Sequence, residues 1–67
     1  MTDDAVVGAV GEVLVRIQGA DRPGEVAVAV RGTTETFIAY ADTAIERGAR
    51  VLVITSRGNR TVDVVPW

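Results

Sequence analysis

The sequence predicts an all-β domain, a small barrel of five strands, and three observations predict it. Apolar residues recur at every second position in five short segments, which places them on one face of a pleated strand. Glycine-containing turns separate those segments. All of this lies within 67 residues, too few to bury a large core, so closing the sheet on itself is an economical way to hold it.

The elements follow in order. Residues 1–7 read as a flexible N-terminal tail carrying Asp3 and Asp4, with Val6 and Val7 able to extend the first strand, and residues 8–67 read as the domain. Gly8 and Gly11 bracket a bend or bulge, and strand one runs through Val13, Val15 and Ile17. Gln18 to Gly24 is the strongest loop signal, with Pro23-Gly24 suited to a type II turn. Strand two, from about Glu25 to Arg31, turns Val26, Val28 and Val30 inward and Ala27 and Ala29 outward. Strand three, from about Glu35 to Ala41, has two competing parities, because Phe37 and Ala39 rival Ile38 and Tyr40 for the buried face.

Asp42 to Gly48 breaks the alternation. Thr43 with Glu46 has capping-box spacing and Gly48 stands where a left-handed C-terminal cap belongs, so one short helical turn is expected between strands three and four. Ile45 then plugs the barrel end. Strand four, about Ala49 to Ser56, is apolar on both parities, as a strand with little exposed face would be. Arg57-Gly58-Asn59-Arg60 is a tight hairpin, and strand five, Thr61 to Val65, ends at Pro66-Trp67. Three strands, a short helical connection and two more strands is the order of an OB-type barrel; an SH3-like barrel is its competitor.

Composition excludes several chemistries. The chain has no histidine, no cysteine and no lysine; its seven basic residues are all arginine. Imidazole acid–base catalysis, Ser–His triads, thiolate or imidazole metal sites, Schiff bases and carrier lysines are all ruled out. The aspartates lack a metal-ligand spacing, and the threonines and Ser56 have no base to activate them. The reading is a non-enzyme without cofactor or metal. A net charge of −2 disfavours generic polyanion binding. No segment approaches the roughly 20 consecutive apolar residues of a membrane-spanning helix, so the chain as given is expected to be soluble.

Taken together, Gly8-Ala9-Val10-Gly11, the turn Asp21-Arg22-Pro23-Gly24-Glu25-Val26, the segment Ile45-Glu46-Arg47-Gly48-Ala49-Arg50-Val51-Leu52-Val53 and the closing Val62-Asp63-Val64-Val65-Pro66 resemble the NfeD C-terminal domain. That family pattern has a G-x-x-G start, a Leu-Arg-Pro-x-Gly turn, an Ile-x-x-Gly-x-x-Val-x-Val segment and a final Val-x-Pro. The resemblance covers nearly the whole chain from Gly8. The departure is Gln18-Gly19-Ala20, which lengthens the first loop. The resemblance implies the OB-fold domain of a membrane-associated protein, lying on the cytoplasmic side of the membrane. It further implies work with stomatin, prohibitin or flotillin-like partners in membrane organisation or quality control. Membrane contact would then come only through other segments of the parent protein.

Two surfaces are candidates for binding. The outward Ala27 and Ala29, with Tyr40 and the sole tryptophan, Trp67, are candidate partner-binding residues, for a stomatin-like protein or for self-association. Ordinary solvated surface is the bland alternative for the alanines, and a cap over the barrel bottom is the alternative for Trp67. A partly open barrel would add free strand edges as a second docking route. The rival function is single-stranded nucleic-acid binding through Arg22, Arg57 and Arg60, in the loops that OB folds use for oligonucleotides. Against it, strand two offers only alanines for stacking, which leaves Tyr40 or Phe37 to do so.

Overall fold

The computed structural model describes residues 4–67. Five strands, β1 (Val10–Val15), β2 (Gly24–Val30), β3 (Thr33–Tyr40), β4 (Arg50–Gly58) and β5 (Thr61–Pro66), form a closed barrel in the order β1-β2-β3-β5-β4, with β4 returning to β1. All pairs are antiparallel except β3 with β5. This is the OB topology, and it decides against the SH3-like alternative. Closure also leaves the barrel without an open side, so the strand-addition route expected of a partly open sheet is withdrawn.

The core is built almost wholly from the alternating valines. Val13, Val26, Val28, Val51, Val53, Val62 and Val64 are each at most 2% exposed, joined by Ile17, Phe37, Ala39, Ala41 and Ile45. The parity of strand three is thereby settled: Phe37 and Ala39 point inward, while Ile38 is exposed. Strand four differs from expectation. Val51 and Val53 face the core, but Leu52 is only half-buried and Ile54 is exposed. Its second apolar row faces outward rather than into a covered layer.

Both hairpins use left-handed two-residue turns that match strand twist. Arg31 and Gly32 have φ of 53° and 84° between β2 and β3, and Asn59 and Arg60 have φ of 53° and 55° between β4 and β5. Asn tolerates this region, and arginine does so at a cost. The first loop turns at Gly19 to Arg22, where the Arg22 amide donates to the Gly19 carbonyl at 3.3 Å, and not at Pro23-Gly24. Gly24 already belongs to β2. A side chain there would collide with the backbone carbonyls of Val15 and Arg16, so close approach, not turn conformation, requires the glycine.

The helical turn expected between strands three and four is absent. Residues 42–48 form a strap across the barrel end, bent at 42–43, extended at Ile45 and turned where the Ala49 amide donates to the Glu46 carbonyl at 3.1 Å, and anchored where Ile17 and Ile45 exchange backbone hydrogen bonds of 3.0 and 2.8 Å. A single helical turn fixes several dihedrals for about one internal hydrogen bond. The extended path makes two bonds with Ile17 and still buries Ile45, which fills the barrel end as expected. Glu46, instead of capping, accepts from Arg16 Nε at 2.9 Å. The short helix lies elsewhere, as a 3-10 turn over Asp4–Val6. The expected tail of residues 1–7 falls outside the described residues over its first three positions. Val6 itself is 1% exposed and packs against β2 and β4, so the folded body reaches back at least that far.

Candidate interaction surface

The loop arginines proposed as a phosphate clamp are largely committed to the barrel. Arg57, near the end of β4, grips Asp63 of β5 with two hydrogen bonds, of 3.0 Å from Nε and 2.6 Å from Nη2. Its guanidinium carbon sits 4.2 Å above the centre of the Tyr40 ring. The hydrogen bonds that Arg57 donates to Asp63 raise the Arg57 pKa above its ordinary value, and the negative charge of Asp63 adds to the effect. Arg60 reaches from the β4–β5 turn to β3, donating to Glu35 Oε1 and to the Thr36 carbonyl, each at 3.1 Å. The Ile38 amide donates to the Arg60 carbonyl at 2.8 Å, so this residue seals the β3–β5 junction. Arg22 is exposed in the first loop.

The aromatic platforms are equally compromised. Phe37 is 5% exposed and lies in the core. Tyr40 is half-buried, and Arg57 occupies one of its ring faces. Stacking on bases needs open π-faces beside unpaired cations. The geometry brings Tyr40, Arg57 and Asp63 together with Ile54 and Val65 around a shallow cleft, in which Arg57 and Asp63 are already paired with each other.

The partner-binding candidates are separated by the barrel's curvature yet share its outer surface. Ala29 is exposed and Ala27 half-buried on β2. Trp67 is 68% exposed, so it does not cap the barrel bottom; its amide continues the ladder by donating to the Arg50 carbonyl at 2.9 Å. Sequence reasoning missed the residues between them. On the outside of β1, β4 and β5, Val10 lies opposite Leu52, and Leu52 opposite Val65. The signal was present, since both parities of strands one and four are apolar.

Residues 10–65 match the family described as the NfeD C-terminal domain. The chain belongs to that family. Among solved structures, the soluble domain of the NfeD protein YuaF from Bacillus subtilis is 29% identical, with a TM-score of 0.80, covering 96% of this chain and 76% of that one. The C-terminal domain of stomatin operon partner protein 1510-C from Pyrococcus horikoshii is 25% identical, with a TM-score of 0.68, covering 100% of this chain and 94% of that one. No curated protein sequence matches the chain. Among the described residues no helix of this NfeD C-terminal domain is long and apolar enough to cross a membrane, and no cluster of acidic residues has the makings of a metal site.

Proposed function

We propose that this NfeD C-terminal domain is a protein-interaction module without catalysis of its own. It docks a stomatin-like partner on the cytoplasmic side of a membrane to which its parent protein is attached. The observation that carries the reading is the family match over residues 10–65, together with a similar structure that is itself named a stomatin operon partner protein. Prohibitin- and flotillin-like proteins belong to the same class of candidate partner. The outer surface is compatible with such a role: small residues at Ala27 and Ala29 and large exposed ones at Ile38, Ile54 and Trp67 offer apolar contact area.

Nucleic-acid binding is the weaker reading, because Arg57 and Arg60 spend their hydrogen bonds on Asp63, Glu35 and the Thr36 carbonyl. Isothermal titration of the chain with the soluble part of a stomatin-like protein tests the proposal. Binding whose affinity changes little between low and moderate salt supports it. Absence of heat at high concentration, with no competition for a labelled partner, contradicts it.

A further inference from the structure

A closed barrel has no open side, but a strand that runs past its seam still carries a short free edge. β3 pairs with β2 along nearly its whole length, from Thr33 opposite Val30 to Ala39 opposite Gly24. On its other side it meets β5 only at Ile38, Ala39 and Tyr40. Residues 33–37 therefore overhang the β3–β5 seam. Backbone hydrogen-bonding groups turn to alternate sides along an antiparallel strand. The Ile38 amide points across the seam, donating to the Arg60 carbonyl at 2.8 Å. The amides and carbonyls of Thr34 and Thr36 point the same way, into a lane that β5 does not enter. Among the described residues one side chain reaches them there, Arg60, whose Nη2 donates to the Thr36 carbonyl at 3.1 Å. The Thr34 amide and carbonyl and the Thr36 amide have no partner among those residues, and both threonines are exposed.

This edge differs from the other strand ends. β4 continues past Val53, where its bonds to Gly8 and Ala9 end, but register shifts at Val53/Thr55 and Ser56/Gly58 bulge it. β5 continues past Asp63 but ends in Pro66, which has no amide to offer. β1 continues past Glu12 into bonds between Val13 and the Gly48–Ala49 segment. β2 passes its last pair with β1, at Val28, by two residues. Bulges and prolines are devices that keep an edge from pairing with another chain. The β3 overhang has neither, since its register with β2 is unbroken. Its one guard is the exposed side chain of Arg60.

The edge also specifies what can cover it. The open groups of Thr34 and Thr36 repeat about every 7 Å in the plane of the sheet. A second extended backbone meets that spacing, and a helix or a flat apolar surface does not. The threonine side chains beside them suit cross-strand pairing with β-branched neighbours. Glu35 and Arg60, the charges nearest the edge, already pair at 3.1 Å, so the complementary segment is uncharged. A second copy of this chain fits poorly. Two β3 edges paired antiparallel through Thr34 and Thr36 would set Glu35 directly opposite its counterpart, and like charges so placed are destabilising. Arg60 need not leave for another chain to pair, because the Thr36 carbonyl has a second lone pair.

We propose that a stomatin-like partner docks by adding an uncharged, β-branched extended segment beside β3, hydrogen-bonded to Thr34 and Thr36. This rests on the reading of the domain as a partner-binding module, and the experiment separates the two.

Amide hydrogen exchange by NMR, run beside titration calorimetry, follows the whole chain as the soluble part of a stomatin-like protein is added. In the free chain the Thr34 and Thr36 amides should exchange at least about tenfold faster than those of Glu35 and Phe37, which bond to β2. Saturation with the partner should slow Thr34 and Thr36 by about tenfold or more. Thr36→Pro removes the open amide and puts a ring into the lane while breaking no bond to β2, the kind of edge position that tolerates proline. It should weaken binding by about tenfold. Calorimetric binding that leaves Thr34 and Thr36 exchanging fast overturns the strand addition and leaves the partner reading standing. So does a folded Thr36→Pro chain that binds as tightly as the original. Slow exchange at both amides without the partner also overturns the proposal, since the edge is then already covered. No binding at all overturns the partner reading and this inference with it. The exchange measurement needs only the unmodified chain, so it decides even if Thr36→Pro folds poorly.

Discussion

Ile17→Ala tests how the barrel end is closed. Ile17 is fully buried, and its backbone exchanges two hydrogen bonds with Ile45, so it holds the strap of residues 42–48 from both backbone and side chain, beside the bonds of Glu46 to Arg16 and of the Gly48 amide to the Val13 carbonyl. Truncation removes three carbons from a site with no route to collapse except by moving the strap. Substitutions of this kind cost about 2–5 kcal/mol, and Ile17→Val about 0.5–1.5 kcal/mol. A domain of this size has a total stability of roughly 3–10 kcal/mol. Ile17→Ala therefore removes a large fraction of it. Urea unfolding followed by circular dichroism reads the effect, because with a slope near 1 kcal/mol/M the midpoint should fall by about 2 M or more. Native-state hydrogen exchange adds the local signature, with faster exchange at the Ile45 amide than at Val53. If Ile17→Ala costs no more than Ile17→Val should, the strap is not docked through this side chain and the account of the barrel end is wrong.

The glycine, turn and pH arguments make further predictions. Gly11→Ala would place a Cβ 2.6 Å from the Ala27 carbonyl oxygen, backbone that cannot swing aside, and should cost about 1–3 kcal/mol in the same urea assay. Arg31→Gly relieves a left-handed φ of 53° and should be neutral or stabilising by up to about 1 kcal/mol. Arg60→Gly, at nearly the same φ, should not stabilise, since it also deletes the contacts to Glu35 and Thr36; equal gains at both sites would refute the sealing role of Arg60. The Arg57 pKa is raised on folding, so the stabilisation it reports is complete below arginine's unfolded value and is lost only in strong alkali. With no histidine or cysteine side chain present, thermal melts between about pH 6 and 8.5 should superimpose to within a few degrees.

The barrel was legible in the sequence because valine alternation is a local property, and five such runs in the order of an OB fold leave few ways to close. Strand three was not, because Phe37-Ala39 and Ile38-Tyr40 are equally apolar and only the neighbours β2 and β5 decide between them. The Thr43/Glu46 spacing suggested a helix cap, but Glu46 is drawn to Arg16 thirty residues away, and no local pattern carries that information. Gly24 was legible as special but for the wrong reason, since its near contacts come from Val15 and Arg16 across the loop. The positions of Arg57 and Arg60 in an OB binding loop were foreseen; their commitment to Asp63 and Glu35 depends on strand register. The outer stripe was hidden by the assumption that a strand apolar on both faces must be covered on both.

The central claim, that this NfeD C-terminal domain binds protein rather than nucleic acid, is tested most directly by one backbone NMR titration in two arms, at low salt and again at moderate salt. The first arm adds the soluble part of a stomatin-like protein and the second a single-stranded oligonucleotide. The account predicts partner-induced shifts on the outer barrel face that persist with salt, and no saturable shifts with the oligonucleotide. Saturable, salt-sensitive shifts at Arg22, Arg57 and Arg60 with the oligonucleotide, and none with the protein, would contradict it.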